Sequence, residues 1–415
     1  MSGRKASLGA IFFTVFLDLL GFGLVLPFLA EEARSTFHVS AFTGTLLSAV
    51  YSLMQFLFIP LWGRLSDRVG RRPVLVWSVA ATAVGMAGLG ASLIFGGSVA
   101  WLFLARVFSG IATANLGTAS AYIADVTSPA DRARGMGLIG VAFGLGFILG
   151  PSVGGPLAEI SILGRTGAVP CFVAAGLSVV NFFWVLLGLG ESLPREARAP
   201  SRRRLAPIDL EALREVLSLP GVGTAVLMNF VVIFAFTGME QTFRFFNQDV
   251  FSMGPRDTGF LLAMIGVIAA LVQGAMRQLT SRFTEAKLMR AGAALQTLAF
   301  AGFIASAGLG KPVLYMASAV LATGNGLTQP STSAYVSKRA SAQSQGATLG
   351  VNQSMASLAR VFGPAAGGFF YTQLGPIAPY AASMVGMALA FLLSLRLTES
   401  GEVRGRLRES GVHSP

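Results

Sequence analysis

The sequence of 415 residues predicts an all-α polytopic membrane protein, with twelve transmembrane helices in two pseudo-symmetric six-helix halves. Three observations carry that expectation. The composition is 53% hydrophobic and only 12% charged, whereas an average soluble domain is roughly 25% charged. Apolar runs of about 20 residues, the length that crosses a bilayer core, recur along the whole chain. Finally, Gly150-Pro151-x-x-Gly154-Gly155 returns 213 residues later as Gly363-Pro364-x-x-Gly367-Gly368, and Ala121-Tyr122 returns at the same offset as Ala334-Tyr335. Parallel repeats of this size imply a duplicated bundle.

Taken in order, the first span covers 8–30. Arg4 and Lys5 before it give it the outline of a signal peptide, but its length, Asp18 near its middle and the lack of a small-residue cleavage site make it a retained helix. The second and third spans, 41–62 and 74–95, carry no charge. Spans four to six cover 99–124, 135–158 and 168–190. The longest polar interval, 191–219, holds Pro194, Pro200 and Pro207 and the run Arg202, Arg203, Arg204. It reads as a linker between halves at 1–190 and 220–398. Spans seven to twelve follow at 220–247, 257–277, 287–308, 312–336, 346–371 and 376–396, leaving 399–415 as a tail.

Of the 31 Lys and Arg residues, 24 fall on one side of the alternating connections and five on the other, namely Arg34, Arg165, Arg244, Arg256 and Lys311. That asymmetry predicts a cell-membrane protein with both termini, linker and tail in the cytoplasm. It also explains the net charge of +12 without nucleic acid, because the basic residues are scattered rather than gathered among stacking aromatics. Cys171 is the single cysteine, which excludes an intramolecular disulfide, and His38 and His413 are too few and too far apart for a histidine-based metal centre. No phosphate-cradling GxxxxGK[ST] occurs, so direct ATP drive and a bound cofactor are not expected. An intramembrane enzyme, the remote alternative, needs a convergent catalytic set that the spans lack. The expected class is a secondary transporter, a monomer with a small-molecule substrate, protons and the lipid bilayer as its partners.

An ion at bilayer depth costs at least about 2.5 kcal/mol, so each charge inside a span is a functional candidate. Asp18 lies about 15 Å along its helix, near the midplane. It is either a proton carrier or a permanently ionised partner tying the first span to another. Arg106 cannot lose its proton; it tunes a carboxylate, holds an anionic group or anchors its helix on backbone carbonyls. Glu240, beside Gln241 and one turn before Arg244, is the other carboxylate for protons or a cationic substrate, unless Arg244 neutralises it. Arg360 reads as structural. Among neutral groups, Gln55, Asn115, Asn229, Asn325 and Gln329 either join helices or, on the stretch from Thr323 to Ser333, face a wet cavity. Gly146, Gly150 and Gly154 make a smooth helix face, and Pro151, like Pro364, permits a bend. That face either seals one side of a cavity or serves ordinary tight packing.

The connection between the second and third spans is the densest motif. Gly63 and Gly70 predict a tight turn. Arg64, Arg68, Arg71 and Arg72 hold it at an anionic surface, and Asp67 among them has no insertion role. Gly63-x-Leu65-x-Asp67-Arg68-x-Gly70-Arg71-Arg72 resembles the loop signature of the major facilitator superfamily. Asp18, Gly21, Gly23 and Pro27 in the first span, Arg106, Gly110 and Ala121 to Asp125 in the fourth, and Gly146 to Gly155 in the fifth resemble its drug/proton antiporter branch, which includes the tetracycline-efflux proteins. The resemblance covers essentially the whole chain. It implies export of small amphipathic or drug-like compounds in exchange for protons by alternating access; proton-coupled movement of a metabolite, sugar or lipid is the alternative. It also implies a gate in which Asp67 caps the eleventh span and Arg71 pairs with Asp125, with Gly63, Arg68 and Gly70 shaping the turn. Where the tetracycline-efflux proteins carry a histidine in the eighth span, this chain has Ala269.

Overall fold

The computed structural model describes residues 7–127, 132–194, 198, 210–339 and 345–397. These residues form helices α1 Leu8–Phe37, α2 Ala41–Val69, α3 Arg71–Phe95, α4 Ala100–Ala112, α5 Leu116–Val126, α6 Arg132–Ala158, α7 Ala168–Gly188, α8 Leu210–Ser218, α9 Val222–Phe251, α10 Pro255–Gly274, α11 Met276–Arg282, α12 Glu285–Leu309, α13 Lys311–Arg339, α14 Gln345–Leu374 and α15 Ala378–Leu395. No β-strand occurs among the described residues; Ile162 and Arg165 form an isolated bridge. The fold is all-α.

Among the described residues nine stretches are long and apolar enough to cross a membrane: α1, α2, α3, the α4–α5 pair, α7, α9, α10, α12 and α15. The other three predicted spans are α6, α13 and α14, of 27, 29 and 30 residues. At the helical rise each is about 40 Å or longer, enough to cross. In α13 and α14 glycines, prolines and hydroxyl and amide residues lower the hydropathy.

The element boundaries differ from the predicted ones in an instructive way. Helices α1 and α2 run about two turns past their apolar runs, through Glu31 to Phe37 and through Gly63 to Val69. Once a helix is nucleated each further residue adds a hydrogen bond, so polar residues at its end continue it. The eleven-residue connection expected between the second and third spans is thus a single residue, Gly70, between two helix ends. Gly63 lies inside α2 and makes no turn, and a side chain there would meet nothing within 4 Å. The fourth span is broken between Ala112 and Leu116. The predicted arginine run 202–204 and the tail 399–415 lie outside the described residues.

The chain gathers into two compact units. One comprises 1–207, 240–266 and 364–376, the other 208–239, 267–363 and 377–415. In the first, α1 packs on α6 and α7, and α3 on α4 and α7. Its core is apolar, with Leu24, Leu47, Met86, Leu89, Leu102 and Cys171 in one cluster and Ile11, Leu75, Val79, Tyr122 and Val185 in another. In the second unit, α12 packs on α13 and α15.

The repeated glycines do equivalent work in each copy. A Cβ on Gly150 would stand 2.6 Å from the Gly23 backbone of α1, and one on Gly363 would stand 2.7 Å from the Phe234 carbonyl of α9. Five residues on, a Cβ on Gly155 would meet the Pro255 carbonyl of α10 at 2.6 Å, and one on Gly368 the Phe42 backbone of α2 at 2.9 Å. The 213-residue offset of the sequence is therefore also an offset of helix contacts.

Candidate functional site

The intramembrane polar residues of the first unit converge on Asp18. Its Oδ2 accepts from Asn115 Nδ2 at 3.0 Å, and its Oδ1 accepts from Asn181 Nδ2 at 3.0 Å. Asn181 is fully buried and also donates to the Thr14 carbonyl at 3.0 Å, one turn earlier on α1. Asn115 stands at the break between α4 and α5, which frees its side chain from a regular helical row. Asp18 thus bonds to two neutral amides and to no cation among the described residues.

Beside this cluster, Gln55 Nε2 donates to Tyr51 Oη and to Thr113 Oγ1, each at 3.1 Å, and Thr113 Oγ1 lies 2.7 Å from Tyr51 Oη. The Tyr51 ring stacks on Phe22 at 5.3 Å between centroids. It also meets the Arg106 guanidinium, 4.7 Å from the ring centroid. Arg106 is fully buried, and its nitrogens have no hydrogen-bond acceptor among the described residues. The helix-anchoring role on backbone carbonyls weighed from sequence is not what the structure shows. The contact is cation–π, worth about 2 kcal/mol or more when desolvated. It needs close approach of α2 and α4, which Gly110 provides: a Cβ there would lie 2.6 Å from the Tyr51 carbonyl.

The other candidates are dispersed. Gln241 Oε1 accepts from Ser48 Oγ at 2.5 Å. Glu240 is half-buried on α9, while Arg244 donates to Gln248 Oε1 and the Met253 carbonyl, each at 3.0 Å. In the second unit Asn229 donates to Asn352 Oδ1 at 3.0 Å, joining α9 to α14. Asn325 and Gln329 are half-buried on α13, and Asn325 Oδ1 has no partner among the described residues. Arg360 is half-buried on α14. The smooth face of α6, Gly146, Gly150 and Gly154, packs on Leu19, Gly23 and Leu24 of α1; its neighbouring face, with Pro151 and Gly155, meets Gly259 of α10. Among the described residues no group of His, Cys, Asp and Glu side chains could hold a metal ion.

At the α2–α3 turn, Arg71 is buried and gathers the motif around itself. It bonds Asp67 Oδ1 at 2.5 Å, Ser66 Oγ at 2.7 Å and Asp125 Oδ2 at 3.1 Å. Asp125 also accepts from Ser192 Oγ at 2.9 Å. The capping expected of Asp67 concerns the segment before α14, residues 340–344, which lies outside the described residues. Arg68 is exposed on the last turn of α2. Glu191 completes the turn: its carboxylate accepts the Arg71 backbone N–H at 2.9 Å and the Arg72 N–H at 3.3 Å, satisfying open donors at the start of α3. Gly70 has φ +107, and a Cβ on it would run into that carboxylate. Gly70→Ala should therefore cost about 1–3 kcal/mol, read as earlier thermal unfolding in detergent. Gly63→Ala, inside a helix with open space, should leave unfolding unchanged or slightly later.

At the opposite ends of α1 and α2 lies a second ionic group that sequence reasoning missed. Arg34 grips Asp249 with two hydrogen bonds, 2.8 and 3.2 Å, and Tyr371 Oη donates to the same carboxylate at 2.9 Å. Arg34 was visible only as one of five sparse basic residues. Asn181, a lone amide in an apolar span, was a readable signal.

The profile of the Major Facilitator Superfamily matches residues 11–364 and again 312–414. The chain belongs to this superfamily. It is 33% identical over 364 residues to the class C tetracycline resistance protein of Escherichia coli, covering 85% of this chain and 86% of that protein. It is 30% identical over 399 residues to Major facilitator superfamily domain-containing protein 10 of Bos taurus, covering 85% and 84% respectively. The crystal structure of the human organic anion transporter MFSD10 (TETRAN) superposes with a TM-score of 0.70 at 26% identity, over 93% of this chain and 98% of that one. This major facilitator protein is thus a multi-pass membrane transporter of small molecules and not an enzyme.

Proposed function

We propose that this transporter is a proton-coupled antiporter that exports small amphipathic or drug-like compounds, with Asp18 as the group that takes up and releases the proton. The observation that carries the reading is the pair of neutral amides on the Asp18 carboxylate. A proton can join or leave that carboxylate without separating an ion pair, so the transfer costs little beyond the reorientation of two amides. The relatives named for tetracycline resistance and organic anion transport support a substrate in the drug-like range. Coupling in this chain does not use the eighth-span histidine of tetracycline exporters, because position 269 is alanine.

In this proposal the Arg71 end of the bundle faces the cytoplasm, as do both termini, and the Arg34 end faces outward. The Asp67–Arg71–Asp125 group and the Arg34–Asp249–Tyr371 group are the ties that break in turn during alternating access. Asp67→Asn removes the negative charge paired with buried Arg71 and should slow transport about tenfold, the effect of about 1.4 kcal/mol on a rate, with insertion and folding intact. Normal transport by that variant removes Asp67 from the gate.

The test of the proposal is an internal pH dye in proteoliposomes, challenged with lipophilic cations, organic anions, antibiotics and metabolites. At least one amphipathic compound should evoke proton movement that a protonophore abolishes. Transport driven by sodium, or uptake in step with protons, overturns the antiport reading.

A further inference from the structure

We infer that Asn115 is a positioning residue that links Asp18 to the Arg71–Asp125 tie, with the short helix α5 as the lever between them. The inference rests on the reading of Asp18 as the proton-binding group. From Asn115 to Asp125 the chain rises about 15 Å, so the head of α5 touches Asp18 and its tail holds the tie. The break before α5 is held in place by its neighbours. The Ile111 carbonyl accepts from the Trp62 indole at 2.6 Å, the Ala112 carbonyl from the Ser78 hydroxyl, and the Thr113 carbonyl from the Gln55 amide at 3.4 Å. Side chains of α2 and α3 thus take up carbonyls where the helical ladder is interrupted, which is a physical cause of a kink. They fix the α4 side of the break, while α5 is joined at its head to Asp18.

The two amides on Asp18 are not equivalent. Asn181 Nδ2 has a second acceptor, the Thr14 carbonyl at 3.0 Å, whereas Asp18 Oδ2 is the only acceptor of Asn115 Nδ2 among the described residues. An ionised carboxylate accepts on both oxygens, but a protonated one presents an O–H on one of them. Placed on Oδ2, that O–H meets the Asn115 amide donor to donor, and Asn115 must turn its amide over or withdraw. The titratable and charged groups facing Asp18 from the neighbouring helices are Tyr51 of α2 and, across its ring, Arg106 of α4. Neither of them bonds the carboxylate.

The second half provides the contrast. Three residues after the repeated Tyr122 and Tyr335 stand Asp125 and Lys338, and the 25-residue helices α3 and α12 begin with Arg71 and Glu285. Lys338 pairs with Glu285 as Asp125 pairs with Arg71, with the signs exchanged. The exchange puts an acid at a helix start and a base at a helix end, where the helix dipoles favour them; Arg71 and Asp125 each lie against theirs. Thr328, which matches Asn115, lies inside the unbroken α13. The second-half tie is therefore a static clasp, whereas the first-half tie sits on a hinged segment and is held by mutual attraction alone.

The test needs no substrate. Hydrogen exchange of the α5 amides is followed by mass spectrometry of the protein in nanodiscs, relative to the α13 amides of the same sample. On acidification from about pH 8 to about pH 4, across the ordinary carboxyl range, wild-type α5 should exchange about fivefold faster, the effect of one lost hydrogen bond. Asp18→Asn, which fixes the neutral form, and Asn115→Ala should each be fast at both ends of that range, and their combination no faster. Asp67, Asp125 and Glu191 titrate at the tail of α5 in every variant, so the readout is the difference between each variant and wild type. A pH response equal in wild type and both variants overturns the inference, and so do additive effects. If Asn115→Ala does not fold, Asn115→Thr, with the residue of position 328 and a hydroxyl that reverses without moving, should keep the fold and lose the response. An α5 response without substrate-evoked proton movement would leave this linkage standing and remove the antiport reading; proton movement without the response would do the reverse.

Discussion

Asp18→Asn is expected to abolish substrate-evoked proton movement while the protein still folds and inserts. Asparagine has the same outline as aspartate, and its carbonyl can keep one of the two amide donors, Asn115 or Asn181, now at 3.0 Å from the carboxylate. Its own NH2 faces the other donor, so one hydrogen bond is lost, at about 1 kcal/mol. That is a modest loss of stability. The functional loss should be complete, because no side-chain charge can change at this position during the cycle. Two readouts separate these effects. Proton flux in proteoliposomes should fall to background, whereas exchange of labelled for unlabelled substrate, which needs no net proton transfer, should stay within a few-fold of wild type. Flux unchanged in the variant would make Asp18 a structural joint between α1, the α4–α5 break and α7 and move the coupling role to Glu240.

Much of this arrangement was legible from residues alone, because the bilayer imposes length and apolarity on each span and duplication leaves a fixed offset. The equivalence of Gly150 with Gly363 and of Gly155 with Gly368 could be read as text before it could be seen as packing. The pairing of Arg71 with Asp125 followed from resemblance. Hydropathy, however, reports how long a helix is and says little of which way it is turned. Asp18 and Arg106 therefore looked like possible partners of other charges, and only their orientation shows that one meets amides and the other the Tyr51 ring. Arg34 and Asp249 are 215 residues apart, and no local pattern links them. Gly63 and Gly70 read alike in the motif, yet one sits within a helix facing open space and the other holds a positive φ against a carboxylate.

Gly150→Ala should destabilise the protein, and Gly150→Leu should prevent its recovery as a folded monomer, although both residues are better helix formers than glycine. A Cβ at this position would sit 2.6 Å from both the Cα and carbonyl carbon of Gly23. Those atoms are backbone, so relief requires α1 and α6 to move apart along their contact, and such overpacking costs about 1–3 kcal/mol for a single methyl group. Gly23 cannot yield, since a Cβ on it would meet the Gly146 carbonyl at 2.6 Å. The control lies on the same helix: at Gly144 a Cβ would meet nothing within 4 Å, so Gly144→Ala should be neutral or slightly stabilising. Thermal unfolding in detergent, followed by size-exclusion chromatography, distinguishes the three variants. The larger consequence is for function, because α1 also carries Asp18, five residues before Gly23. Shifting α1 away from α6 pulls Asp18 against its amides at the α4–α5 break and on α7, so folded Gly150→Ala protein should also lose proton coupling. If Gly144→Ala and Gly150→Ala unfold alike, the close contact of α1 with α6 is not what sets the stability of the first unit.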